Sequence, residues 1–510
     1  MLKRALKVTA ITLLIALGAA GVLYLAGVRV LLDGGARPYI TRITPPSAHA
    51  DALARHREAQ RAQPLTDTAV PSDIASAEGN DASAQGGMDA SETAADETSA
   101  GELPAATTSA DAADTAVAAR AALDWPSFRG AQRDGHYRGA VRVDWPAGGL
   151  TPLWKQPVGG GYASFAVAGG RAYTIEQRGP EEVVAAYDVA TGRELWTHGW
   201  TALFSEILGG DGPRATPTYH DGRVFALGGT GELRALDARD GRLLWRTNIL
   251  EDARAPAREW GVSGSPLIVD DTVVVTPGGP DGRSVVAYSI DGGRMAWSAL
   301  DDQTSYASAM LVTLGGVRQI LAFSQSRMVA ITPVEGRVLW EYPWVTDPRI
   351  NASQPVLLGD DRVFVSTGYG KGAAVIELTR TDDEDAPSFT VREVWRNIRM
   401  KNQFSTSIAH EGYLYGLDGP ILACIDAATG DLKWKGGRYG YGQIMLTNGH
   451  LIVTTEGGDI ALVRATPERH TEIARFSVFN ARTWNHPVIA DGILLVRNLA
   501  EMAAFDLRVR

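Results

Sequence analysis

The chain has 510 residues, and 56 glycines with only 8% aromatic residues suit many tight turns between short strands rather than long helices. Its formal charge of -10 is unevenly spread: residues 1–62 sum to +6, residues 63–119 to -11 and the rest to -5. No basic stripe that would neutralise phosphates is present, which argues against nucleic acid as a partner, and the single cysteine, Cys424, excludes an internal disulfide.

Lys3, Arg4 and Lys7 precede an uncharged run at 8–28, just long enough for the ~20 apolar residues of a membrane-crossing helix. Arg29-Val30-Leu31-Leu32-Asp33 follows instead of a small-x-small cleavage site, which favours an uncleaved signal-anchor. The basic residues ahead of the run place the amino terminus in the cytoplasm. Residues 1–32 are therefore expected to be a cytoplasmic basic stub and a single transmembrane helix in a bacterial inner membrane, with the remainder in the periplasm. No cysteine lies near this segment, so a lipoprotein anchor is not expected. Residues 33–63 form a juxtamembrane segment, compatible with a helix at 47–63. Residues 64–123 are an acidic Ala/Ser/Thr-rich stretch that buries too little apolar surface to fold, expected as a disordered tether with a typical span of roughly 40 Å.

From residue 124 onward the sequence repeats. Gly192, Gly241, Gly293, Gly336 and Gly430 each lie four residues before a tryptophan: Trp196, Trp245, Trp297, Trp340 and Trp434. A short hairpin needs a residue at φ > 0, and the ring then sits at a fixed register on the outgoing strand, placed to pack on a neighbouring unit. Strand patterns precede each hairpin, as in Arg223-Val-Phe-Ala-Leu and Glu232-Leu-Arg-Ala-Leu, and a shorter one such as Thr216-Pro-Thr-Tyr comes before those. Four strands per unit at this spacing make a propeller blade. The last unit ends at Ala504-Phe505-Asp506 with no fourth strand, whereas Leu153-Trp154-Lys155-Gln156 is a fourth strand with no predecessor. The fold expected at 124–510 is therefore an all-β, eight-bladed propeller of four-stranded antiparallel blades, the ring closed by pairing this N-terminal strand with the C-terminal blade. Seven blades is the alternative, since the unit around Trp395 lacks the turn glycine and carries an Asp-rich insertion at 381–385.

These residues resemble the PQQ-like repeat, Ala-x-Asp-x-x-Thr-Gly-x-x-x-Trp, which residues 186–196 match at every fixed position and 424–434 at all but the first. That family holds quinoprotein alcohol dehydrogenases, which bind pyrroloquinoline quinone (PQQ) and calcium, and the cofactor-free propeller lipoprotein of the outer-membrane β-barrel assembly machinery. The resemblance implies one of two activities. One is a binding or scaffold module for envelope proteins or a small anionic or aromatic ligand; the alternative is a PQQ-dependent oxidoreductase. The run Trp125-Pro-Ser-Phe-Arg-Gly-Ala-Gln-Arg-Asp-Gly resembles a leader before the first blade, expected as a strap on the propeller rim.

Loops entering the inner strands converge near a propeller's axis. Here they carry Arg214, Trp260, Tyr306, Asn351, Lys401, Asn402, Arg438, Tyr441, Trp484 and Asn485, a lining able to hold an anion and stack on a flat ring. Calcium needs six or more oxygen ligands, and the candidate carboxylates Glu206, Glu259, Asp301 and Asp302 show no metal-binding spacing. Neither cofactor nor metal is firmly implied. Cys424 stands where other repeats have alanine and is read as a core residue.

Overall fold

Strand segments such as Arg171–Arg178, Glu181–Asp188 and Ile493–Arg497 are buried along almost their whole length. Such strands need cover on both faces, and stacking sheet upon sheet supplies it. The computed structural model describes Val22 and residues 28–32, 37–42, 46–62, 123–146, 148–383 and 386–509. It forms eight four-stranded antiparallel sheets in chain order. Blades 1 to 7 occupy residues 166–201, 218–248, 267–299, 310–343, 356–397, 408–438 and 443–477. Blade 8 takes three strands from 488–506 and a fourth, Trp154–Pro157, in register Trp154↔Ala504 to Pro157↔Glu501. The core is correspondingly a ring of interblade layers; Val184 and Ala186 of blade 1, for instance, pack with Val224 and Leu236 of blade 2.

The turn glycines carry a second duty. Gly192 and Gly241 stand at φ 70° and 75°, and a Cβ on Gly192 would come within 2.7 Å of the Trp154 ring of the preceding blade. Gly241 lies in the same way beneath Trp196, Gly293 beneath Trp245 and Gly430 beneath Trp395. Each of these indoles reaches the next blade's turn: Trp154 Nε1 donates to Val189 O at 2.9 Å, Trp196 to Ala238 O at 3.0 Å and Trp395 to Ala427 O at 3.0 Å. Trp340 precedes the blade without a turn glycine, and its N–H bonds Gln319 Oε1 of its own blade instead. That following blade carries two twelve-residue strands, Gly372–Asp383 and Ala386–Asn397, which lean on blade 4 through Phe389.

The leader is not a strap on the rim, as expected, but fills the propeller axis. Trp125 bridges Val167 on the inner strand of blade 1, and His136 bridges Leu446 on that of blade 7. Between them, the Arg133 guanidinium donates to Ala309 O at 2.8 Å, Ser265 O at 3.2 Å and Pro266 O, at the entries to blades 3 and 4. Arg129 donates to Ser407 O before blade 6 and meets His486 Nε2, before blade 8, at 3.3 Å. Inner-strand ends leave carbonyls aimed at the axis, and an arginine's fork of donors satisfies several at once.

A helix at Pro46–Ala62 docks on the outer wall where the strand Trp154–Pro157 meets blade 1. Residues 28–32 and 38–42 form a small hairpin. Apart from Val22 and Val28, the apolar run at 8–28 lies outside the described residues, as does the acidic stretch at 64–122. Among the described residues no helix is long and apolar enough to cross a membrane.

Candidate functional site

Segments leaving an outer strand for the next inner strand cross one face of the ring and enclose a cavity of about 440 Å³ on the axis. Its walls are mainly aromatic. Trp484 stands 5.1 Å from Tyr162 and 4.7 Å from Phe404, ring centre to ring centre, and Trp260, Tyr306 and Tyr369 continue the lining. Phe128 of the leader and the buried His486 line the base, so the axis is a blind pocket and not a passage.

Guanidinium groups stand behind the rings. Arg214 lies 4.5 Å over Phe204 and 5.6 Å over Tyr162, and Arg482 lies 4.4 Å over Trp484. Such stacking lets a charge sit in partly dry surroundings. Burial pushes the Tyr162 hydroxyl up to about 12 despite Arg482 and Arg214 nearby, and its proton goes to Gly209 O at 2.7 Å. At the base, burial lowers Arg133 to about 9, and lowers Arg129 to about 10 against the pull of Asp134. His486 is held neutral, its pKa lowered to about 3 by burial and then by Arg129. The cavity thus pairs flat apolar surfaces with one arginine, Arg214, already bound to Glu206, chemistry suited to a flat aromatic group.

The sequence-derived candidates divide sharply. Arg214, Trp260, Tyr306 and Trp484 line the cavity, and Tyr441 packs on Phe404. Asn351, Asn402 and Asn485 are buried, and their amides tie down turns: Asn351 Nδ2 donates to Ser324 O, Asn402 to Leu417 O and Asn485 to Ala163 O. Lys401 turns to Asp418 at 2.5 Å, shared with Lys435, and Arg438 is exposed near the end of an outer strand. These five are therefore not among the residues that line the cavity. Missed by the sequence reading were Tyr162, Tyr369, Phe404 and the leader's Phe128. Phe404 follows Asn402 by two residues in the same crossover, so the loop was identified but the position within it was not.

A family model described as outer membrane protein assembly factor BamB matches residues 180–436, just over half of the chain.

The chain belongs to that family of PQQ-like propellers.

Over 214 residues it is 26% identical to outer membrane protein assembly factor BamB of Bordetella pertussis, a match covering 41% of this chain and 49% of that protein. Over 110 residues it is 32% identical to the 1-butanol dehydrogenase (cytochrome c) of Thauera butanivorans, covering 20% of this chain and 15% of that one. The chain thus spans about half, or less, of the curated relatives it matches. Among solved structures, BamB from Moraxella catarrhalis shares the fold at a TM-score of 0.51 and 14% identity, over 71% of this chain and 98% of that one. The quinohemoprotein alcohol dehydrogenase of Comamonas testosteroni does so at 0.54 and 13%, over 78% and 83%.

PQQ with calcium can be tested against the residues present. The cavity offers one carboxylate, Glu206, and its oxygens already accept from Arg214 Nη2 at 3.0 Å and from the N–H groups of Leu208 and Gly209. Glu259 and Asp301 are exposed, and Asp302 is held by Arg327 at 2.6 Å. Among the described residues no three His, Cys, Asp or Glu side chains gather as a metal set. Cys424 is fully buried in blade 6. The donor set does not fit a calcium-bound quinone.

Proposed function

We propose that this chain is a membrane-anchored binding propeller of the bacterial envelope, whose crossover face holds a protein segment or a small aromatic or anionic ligand. The observation that carries this reading is the blind, aromatic cavity whose single carboxylate is already engaged by its arginine. The relative BamB of Bordetella pertussis, named as an assembly factor of the outer membrane, supports an envelope-protein partner. The uncleaved helix at 8–28, the periplasmic placement and the closing of the ring by the strand at 154–157 belong to the same proposal. The test titrates the full chain with PQQ, with and without calcium, by calorimetry, and carries a photo-crosslinker at Ile207, which is 97% exposed beside the cavity mouth. The expected result is no quinone heat and a discrete crosslink to one envelope protein that Trp484→Ala abolishes. Quinone binding with calcium, accompanied by alcohol oxidation on a dye acceptor, would replace this reading with the dehydrogenase one.

A further inference from the structure

The helix Pro46–Ala62 makes a set of contacts that its sequence neighbours do not explain. Arg57, with a side chain only 2% exposed, ion-pairs with Glu194 of blade 1 at 3.2 Å. It also donates to Pro157 O at 3.0 Å and to the Tyr187 hydroxyl at 3.2 Å, with the Tyr187 ring 4.8 Å beneath it. His56 and Gln60 both donate to Gln156 Oε1 at 2.9 Å, and His49 donates to Val158 O at 2.8 Å. The partners fall on two blades: Gln156, Pro157 and Val158 belong to the strand that completes blade 8 or follow it directly, and Tyr187 and Glu194 belong to blade 1. The helix therefore spans the boundary between the strand that completes blade 8 and blade 1, two elements that both come from the amino-terminal part of the propeller sequence.

The seat on blade 1 is prepared for a cation. Arg178 donates to Glu176 Oε1 and reaches Glu194 Oε2 at 2.6 Å, and the Tyr187 hydroxyl donates to Glu176 at 2.8 Å. Glu176 and Glu194 form a buried carboxylate pair that Arg57 joins beside the resident Arg178 and the buried Arg497. The interface is otherwise polar, with Leu53 its buried apolar residue. A surface of that kind holds a partner best at the high effective concentration of an intramolecular contact.

Chain geometry then limits how far the anchor can lie from this boundary. The hairpin register places Val28, the last residue of the apolar run, opposite Arg42, a separation of about 5 Å. Four peptide steps, each about 3.8 Å, lead from Arg42 to Pro46. The end of the run is thus about 20 Å at most from the start of a helix docked on the propeller wall.

We propose that the helix Pro46–Ala62 is a clasp that holds the boundary between the strand Trp154–Pro157 and blade 1 close against the membrane. The membrane part rests on the anchor proposed above; the clasp does not. A protease site inserted within 63–122 of the full chain, with a tag at the amino terminus, separates the two. After cleavage the propeller should remain on the tag resin, and in membranes of cells expressing it. Arg57→Glu, which sets a third carboxylate against Glu194 and Glu176, should release it, raising fragment dissociation roughly tenfold or more, while the propeller's melting stays cooperative. Release of the unmutated propeller on cleavage, with the uncut chain in the membrane, would overturn the clasp and leave the anchor standing. Retention on the tag with the uncut chain soluble would uphold the clasp but overturn its membrane role and the anchor with it. Gln60→Ala gives a milder second variant, expected to loosen without releasing.

Discussion

At Gly241 two constraints fall on one residue: the backbone holds φ 75°, and the space a Cβ would take is filled by the Trp196 ring. An L side chain in the left-handed region costs about 1–2 kcal/mol, and forcing atoms into a packed contact adds about 1–3 kcal/mol. Gly241→Ala should therefore lose roughly 2–5 kcal/mol in chemical denaturation. Gly292→Ala, one position before the equivalent turn glycine of blade 3 and with open space around it, should stay within about 0.5 kcal/mol. Equal losses at both would show that neither the left-handed backbone nor the indole contact costs stability at Gly241. The spacing of glycine and tryptophan was legible because it is local and recurs, and it gave the positive φ directly. That the glycine also lies beneath the preceding blade's ring was not legible, because Trp196 and Gly241 stand 45 residues apart in the chain. The three asparagines misled for a related reason: a polar residue at a strand entry looks the same whether it faces a ligand or a backbone carbonyl. Only the placement of carbonyls such as Ser324 O and Leu417 O decides.

The leader shows the same limit on a larger scale. Its arginines bond carbonyls scattered over blades 3, 4 and 6, partners that carry no sequence signature. Its packing leaves a thermodynamic mark at His486, which the leader's Trp125 stacks upon at 6.1 Å and Arg129 approaches. Burial and that arginine lower the folded pKa to about 3 from an ordinary 6.5. As pH falls below 6.5 the unfolded chain takes up a proton that the folded chain refuses until near pH 3, so stability is whole above pH 7 and drains away below it. His136, lowered to about 4 chiefly by burial, acts in the same direction. By pH 5 the loss at His486 alone should reach roughly 2 kcal/mol. Melting at pH 7.5 and pH 5.0 checks this: His486→Asn should narrow the difference between the two. An unchanged difference would mean that His486 is protonated in the folded state, and that the leader does not seal the base of the cavity against water.

The molecule as a whole depends on whether the ring is shut. Counting aromatic positions along the sequence led to eight blades even though one unit lacked its glycine, since a missing turn residue does not remove the strands around it. The closing contact is of another kind, because Lys155 and Ala503 pair across a loop of nearly 350 residues. Directly opposed residues in an antiparallel pair lie about 4.5–5.5 Å apart at Cα, within the range a disulfide spans. Lys155→Cys with Ala503→Cys should therefore oxidise readily, and native Cys424, fully buried in another blade, does not compete. Loop closure of that length limits the unfolded chain by an entropy worth at most roughly 6 kcal/mol. The full gain requires that the seam open early and the ring unravel from it. Comparing thermal unfolding of the oxidised and reduced double variant reads this out. A large rise in Tm on oxidation places the weakest point of the ring at the seam; a small rise with complete crosslinking places it elsewhere. Failure to crosslink at all would show that the strand at 154–157 does not complete blade 8 in solution.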